Sequence, residues 1–419
     1  MVLKMVMAKL NGAPKCRKTV GLGSTSEQGR LYNERVILNI VRKYPGISRV
    51  QIAAETGLSA QTISVITSSL LDKGMLQVTG KVKGNRGQPS IMLTICAEGA
   101  YGLGINVDRD HISAALLDFS GKCILLKEHS VQFPTQETAQ NIALNLINEV
   151  KQILGAKWPR VQGVGLAKPD SMSLWLDSLV LEIDQKDDTI ALQQSLKYWE
   201  TDEFSVWLEN QTGLSCVTEN DANVAALNEL LFSTKEKRSN FFYIFMGAAC
   251  GGGAVADGEC YSGANGKAGS FGLIPTATGV LGAQILEVLS LSSLIQFLTS
   301  KGKLLPQSEE EWEATDIQLL AAEWIDIVCV EIVPGIVSVI ALFDPESIVF
   351  GGRLPQFLQD KLVSVLSAQL TRLCPLGMII PPLAVAETGV TAGMLGAAIL
   401  PLYDTFAPYR SLLLVREEK

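Results

Sequence analysis

Apolar side chains at Val36, Ile37, Ile40 and Val41 recur at the spacing of one helical face, and the run stops at Tyr44-Pro45-Gly46. The stretch SRVQIAAETGLSAQTISVITSSLLDKG, residues 48–74, continues that period in two shorter pieces. Ser48 with Gln51 is a capping-box signature, and Gly57 supplies a turn. Ser59 then caps a second helix that buries Ile63, Ile66 and Leu70. Two short helices joined by a Gly-containing turn predict a helix-turn-helix. Past residue 74 the period shortens: MLQVTG and SIMLTI have strand composition, with the Gly-rich loop KVKGNRGQP between them. The pattern therefore predicts a winged helix-turn-helix over residues 31–95, preceded by a flexible basic leader over residues 1–30.

Residues 101–132 read as strand, strand, turn, strand, in YGLGINVD, HISAALLDF, Ser120-Gly121 and KCILLKEHSVQF. An amphipathic helix is expected from Glu137 to Leu154. FFYIFMG, GGGAVA, the turn Asp257-Gly258 and ECY repeat the scheme over residues 241–261. Two such halves predict paired α/β lobes with a ligand cleft between them. The longest apolar run, Ile327 to Phe343, contains Glu331 and Pro334 and is expected to be a buried helix rather than a membrane span. MVLKMVMAKL is too short, and too interrupted by Lys4 and Lys9, for a secretion signal.

A chain of 419 residues exceeds what one core organises, so two or three domains are expected. Charge sharpens that division. Residues 1–90 carry 14 Lys and Arg against 4 Asp and Glu, whereas the remainder carries 21 against 39. A basic head on an acidic body suits a polyanion partner for the head alone. On the second helix Gln61, Thr62 and Ser64, with Ser59 at its start, offer hydrogen-bonding groups to base edges. Arg49 is placed for the DNA backbone, and Lys81, Lys83 and Arg86 of the wing for phosphate or a groove. The eight cysteines form no close pair, and His111 and His129 are the only histidines. Free thiols in a reducing cytoplasm are expected, with no metal site, no cofactor and no membrane.

The chain resembles the ROK family of sugar kinases and sugar-responsive repressors, and its head-plus-body order is similar to the repressor branch. The likeness rests on ISRVQIAAETGLSAQTIS, RGQPSIML, ENDANVAALNE, GGGAVADGECYSGANGKAG and DPESIVFGGRLP, spread over roughly residues 33–400. It implies a duplicated actin-like, ribonuclease H-like body. One lobe is expected to comprise residues 100–224 with 386–419, the other residues 225–385.

In the family's kinases an Asp takes a proton from a sugar hydroxyl, and Asp221 matches it. The resemblance implies a D-x-G-G-T-type phosphate turn, yet this chain reads Asp108-Arg109-Asp110-His111, so catalysis is expected to be lost. The family's zinc-binding His and three Cys correspond to Leu273, Thr276, Thr278 and Ala283, and its sugar-binding Glu to Ser270. Asn220 and Asp221 remain as a candidate grip for vicinal hydroxyls. Alternatively they cap a helix over residues 222–231. A further sugar-contacting Glu corresponds to Ile285 in one alignment frame and Glu287 in another. The resemblance thus implies a DNA-binding repressor of carbohydrate-related genes with a sugar-class effector, acting on a double-stranded operator as a homodimer or dimer of dimers. An active kinase with a regulatory head, and a regulator governed by a protein partner through a vestigial cleft, remain alternatives.

Overall fold

The first helix, α1 (Ser26–Lys43), begins before the residue that the apolar spacing marks. Thr25 Oγ1 accepts from Gln28 N at 3.2 Å while Gln28 Oε1 accepts from Thr25 N at 2.8 Å, so a reciprocal cap fixes the start. The expected leader is thereby corrected: residues 26–30 are helical. The computed structural model describes residues 25–82, 90–174, 192–233, 237–306 and 308–409. Lys83, Arg86 and the leader up to residue 24 lie outside the described residues.

Ser48 and Gln51 form the expected capping box of α2 (Arg49–Thr56), and Gly57 ends that helix at φ 68°, where a Cβ would be strained. Ser59 caps α3 (Ala60–Asp72) by accepting from Thr62 N. β1 (Ile47–Ser48), β3 (Ser90–Ile95) and β2 (Leu76–Val82) then form an antiparallel sheet in that order. Ile37, Val41, Ile52, Ile63, Leu70 and Leu93 close a small core beneath it. This is a winged helix-turn-helix.

The body contains two five-stranded sheets of one topology. The first runs β6-β5-β4-β7-β8, from β4 (Tyr101–Val107), β5 (His111–Asp118), β6 (Cys123–Ser130), β7 (Val161–Lys168) and β8 (Cys216–Asn220). The second runs β11-β10-β9-β12-β13, from β9 (Phe241–Met246), β10 (Cys250–Ala256), β11 (Glu259–Cys260), β12 (Ser347–Gly352) and β13 (Leu383–Val385). In each, the first three strands are antiparallel, while the fourth pairs parallel to the first and to the fifth. The internal duplication is therefore a repeated ribonuclease H-like lobe, the actin-like arrangement.

Helices complete the layers. α4 (Gln136–Leu154) and α5 (Glu203–Thr212) contribute to the core on the first sheet, and α6 (Asp221–Phe232) leads from β8 toward the second. The second lobe adds α7 (Ile285–Val288), α8 (Leu291–Ser300), α9 (Thr315–Phe343) and α10 (Gln356–Leu373). By length and apolarity α9 could cross a bilayer, but 56% of its most apolar window is buried within the lobe. Ile325, Val328, Ile332 and Ile336 of α9 join Leu362 and Leu366 of α10 and Phe350 of β12 in one core.

The last described helix, α11 (Ala392–Phe406), lies on β4 and β7 because Gly104 and Gly165 have no Cβ; one added there would overlap the backbone of Ala397 and Ala398. Its far end meets the head. Arg35 Nη1 of α1 donates to the carbonyls of Asp404 at 2.9 Å and Ala407 at 3.0 Å. Arg42 donates to Phe119 O at 3.1 Å and lies 5.0 Å over the Phe119 ring, which itself contacts Phe406. A guanidinium held by carbonyls and an aromatic face keeps its charge without a carboxylate, so the head is seated on the first lobe by directional contacts.

Candidate functional site

On α3, Gln61, Ser64, Val65 and Ser68 are exposed and fall at the i, i+3, i+4, i+7 positions of one face. The side chains opposite, Ile63, Ile66 and Leu70, are buried in the head, so this face is left free. Ser59 and Thr62 share a 2.8 Å hydroxyl bond at the start of the helix and are partly committed to the cap. Arg49 folds across to α3, donating from Nε to Thr67 Oγ1 at 2.8 Å and from Nη2 to Ser68 Oγ at 3.2 Å. A groove of about 480 Å³ joins Gln61, Thr62 and Val65 to Ser26, Arg30 and Asn33 of α1. Sequence reasoning missed Val65 and Arg30. The signal for Val65 was an apolar residue off the Ile63/Ile66/Leu70 stripe; Arg30 emerges only when α1 starts at Ser26. Lys81 lies in β2 opposite Ile91.

The body holds a cavity of about 190 Å³ lined by Asp108, Arg109, Asp170, Asn220, Asp221, Lys267, Ser270 and Leu273, among others. Asn220 Oδ1 and Asp221 Oδ1 accept from Ala222 N at 2.9 and 2.8 Å. The same two residues thus cap α6 and face the cavity, so the two readings of this pair are compatible. Arg109 is buried; Nη2 donates to Ser171 O at 2.9 Å, Nη1 lies 3.7 Å from Asp108 Oδ1, and Nε has no hydrogen-bond partner among the described residues. Lys267 and Asp170 pair at 2.8 Å at the exposed side. Ser270 Oγ is engaged by Lys267 O. Glu287 is not in the lining: its Oε2 accepts from Gln284 N at 3.0 Å to cap α7. Ile285 is fully buried in the core, and Leu286 reaches the cavity instead. Neither alignment frame therefore brings a further carboxylate to this wall.

Burial, reinforced by the charge of Asp108, pushes the Asp221 carboxyl up to about 7. A raised carboxyl in the folded state means that the unfolded chain releases this proton first as pH rises. The stability cost accumulates from about pH 4 upward and is complete above about pH 7. Asp221→Asn keeps an oxygen for Ala222 N and removes the charge. Its melting temperature should exceed that of the parent more at pH 8 than at pH 5; equal differences at the two pH values in scanning calorimetry would contradict the assignment.

The β4–β5 turn carries charged side chains. Asp108 Oδ1 accepts from Arg109 N at 2.7 Å, and Asp110 Oδ1 lies 2.6 Å from His111 Nδ1. Asp108, Asp110 and His111 bring ligand atoms within 4.8 Å of one another, but those of Asp110 are engaged by His111 and by Arg353, 3.5 Å away. The segment Thr276–Ala283 is held by a carboxylate: Glu331 of α9 accepts from Thr278 N at 2.8 Å, from Gly279 N at 3.2 Å and from the Thr278 hydroxyl. Ala277 N adds a bond to Glu331 O at 3.0 Å.

Comparison with known proteins places this geometry. The winged helix-turn-helix DNA-binding model matches residues 30–77, and the ROK family model matches residues 102–403. Uncharacterized protein y4fQ of Sinorhizobium fredii is 25% identical over 380 residues, 89% of this chain and 91% of its own length. The xylose repressor of Bacillus spizizenii is 23% identical over 240 residues, 57% of this chain and 59% of the repressor. Among solved structures, a ROK family transcriptional regulator homologous to the E. coli Mlc protein shares the fold with a TM-score of 0.65 at 20% identity, over 92% of this chain and 99% of that one. With a duplicated lobe and a winged head, the chain belongs to the ROK family.

Proposed function

We propose that this chain is a sequence-specific DNA-binding regulator of carbohydrate-related genes, a repressor, whose kinase-like body senses a sugar-class ligand. One observation carries the reading: a winged head with a free polar recognition face is seated, through Arg35 and α11, on the lobe whose cleft contains Asn220 and Asp221. The similarity to a xylose repressor supports a sugar as the class of ligand. Gln61 and Ser64 are suited to base edges, and Val65, 58% exposed, to a thymine methyl. Arg30, Lys81, Lys83 and Arg86 supply phosphate contacts. Two-fold operators favour a homodimer.

The body, on this reading, does not phosphorylate. A nucleotide's phosphates would meet Asp108 and Asp110 at the β4–β5 turn. At an effective dielectric near 20 and roughly 5 Å, each like-charge contact costs about 3 kcal/mol. Asp221 is then a hydroxyl acceptor rather than a working base.

The test uses the full chain and genomic fragments selected by it. Gln61→Glu with Ser64→Glu places two carboxylates on the recognition face and should weaken operator binding by roughly 100-fold or more, at an unchanged melting temperature. Parental affinity should also fall steeply as salt rises from 50 to 200 mM, by about 10³-fold if six phosphates are contacted. Undiminished binding by the doubly substituted chain would overturn the assignment of the head.

A further inference from the structure

Residues of both lobes line the cavity, among them Asp108 and Asn220 of the first and Gly251 and Leu273 of the second, and the angle between the lobes needs a fixed tie if the cleft is to have one shape. The β4–β5 turn and edge strand β6 belong to the first sheet; Arg353 directly follows β12 of the second. Arg353 Nη1 donates to Glu128 Oε2 at 3.0 Å and Nη2 to Glu128 Oε1 at 2.9 Å, the two-pronged geometry in which guanidinium and carboxylate fix each other's orientation. Its Nε lies 3.5 Å from Asp110 Oδ2. The cluster is partly screened from water: the Arg353, Asp110 and Glu128 side chains are 19%, 20% and 31% exposed. Arg353 is itself anchored, its amide donating to Met246 O at 2.7 Å.

The cluster continues inward. The other oxygen of Asp110 meets His111 Nδ1, and His111 Nε2 lies 3.3 Å from the Asn106 amide nitrogen. That amide sits against Gly393 at the start of α11, the helix whose other end supplies the carbonyls for Arg35 of the head.

We propose that Arg353, with Glu128 and Asp110, is the positioning residue that ties the two lobes together where a kinase would hold nucleotide phosphates, so that the cleft adopts its ligand-ready shape with no nucleotide present. The guanidinium supplies the positive charge that bridges the lobes, and the two carboxylates hold it in place. A polyol then binds a preset cleft. The inference deepens the sensor reading and rests on it for its biological use, while the tie itself is measurable without ligand or DNA.

The experiment is hydrogen–deuterium exchange of the full chain, alone in solution, for the parent, Arg353→Ala, Arg353→Lys, Glu128→Gln and the Arg353→Ala/Glu128→Gln pair. Arg353→Ala is expected to speed exchange of the amides of residues 108–112 and 351–355 about 10-fold, Glu128→Gln severalfold, and the double variant no further than Arg353→Ala. Arg353→Lys should fall between parent and Arg353→Ala, because a point-charge ammonium keeps the attraction but not the paired bonds. A residue that merely fills space would show neither the shared effect nor the partial rescue by lysine. Parental exchange rates in Arg353→Ala, or single effects that multiply in the double variant, would overturn the proposal. If Arg353→Ala does not fold, Glu128→Gln decides: parental exchange at both segments overturns it. Failure of the sensor reading would appear elsewhere, as indifference of the parent to every polyol with these exchange effects intact.

Discussion

Glu331→Ala should cost the second lobe about 1.5–3 kcal/mol and lower its melting temperature by several degrees, since a hydrogen bond to a charged group is worth about that much and the exposed Thr278 and Gly279 can regain water for their amides. Glu331 is 1% exposed in the middle of an apolar helix. Burial alone would raise its carboxyl, but the hydrogen bonds from Thr278 and Gly279 outweigh it and hold the group below its usual value. The stability it contributes is therefore present at neutral pH and lost as pH falls through the acid range. Removing it leaves the Thr278 and Gly279 amides to water and releases the Thr276–Ala283 segment. That segment runs between Leu273 and Leu286, both on the cleft wall, so ligand affinity should fall together with stability. Glu331→Gln keeps one oxygen for the amides and should lose less. Denaturation at pH 7.5 checks the order; an unchanged midpoint for Glu331→Ala would show that the clip does not hold the lobe.

Asp221→Ala should weaken the cleft's polyol by at least about 100-fold while leaving operator affinity in its absence unchanged. At pH 8, where the Asp221 carboxyl is mostly ionised, a hydroxyl bonded to it is worth about 1.5–3 kcal/mol, and a carboxylate can accept two. The substitution keeps the start of α6, because Asn220 still accepts from Ala222 N. It leaves the head alone, because Asp221 lies on the cleft side while the head is gripped at Asp404, Ala407 and Phe119. Calorimetry with whichever sugar or polyol stabilises the parent measures the loss. Equal affinities for the parent and Asp221→Ala would remove Asp221 from the site.

Local chemistry made the head legible: Ser48, Gln51, Gly57 and Ser59 each do what their residue types favour at a helix boundary. The start of α1 was equally local, in Thr25 and Gln28, but lay inside a stretch whose basic, Gly-containing composition argued for a leader. The antiparallel openings of both lobes follow from alternation and tight turns. Their parallel fourth and fifth strands do not, because those pairings join distant segments and depend on packing between layers, such as Gly165 against α11.

At the site, Asn220 and Asp221 were readable because neighbouring residues converge on one helix start. Arg353 and Glu128 are 225 residues apart, and neither carries a local mark of its partner. Glu331 registered only as a charge interrupting an apolar run, although the carboxylate holds the very loop in which Thr276, Thr278 and Ala283 offer no metal ligands. Glu287 shows the converse: a carboxylate at a plausible spacing was claimed by the cap of a four-residue helix.

The central claim is that a cleft inherited from an enzyme governs the grip of the head on DNA, and titration of the operator-bound full chain tests it most directly. Fluorescence anisotropy of a labelled operator is followed as sugars, sugar phosphates and polyols are added to millimolar concentration, for the parent and Asp221→Ala side by side. The expected result is that at least one compound changes operator binding by the parent, with no nucleotide present, and fails to do so for Asp221→Ala. A panel in which no compound changes the parent's binding, or in which one acts equally on both chains, would contradict the claim.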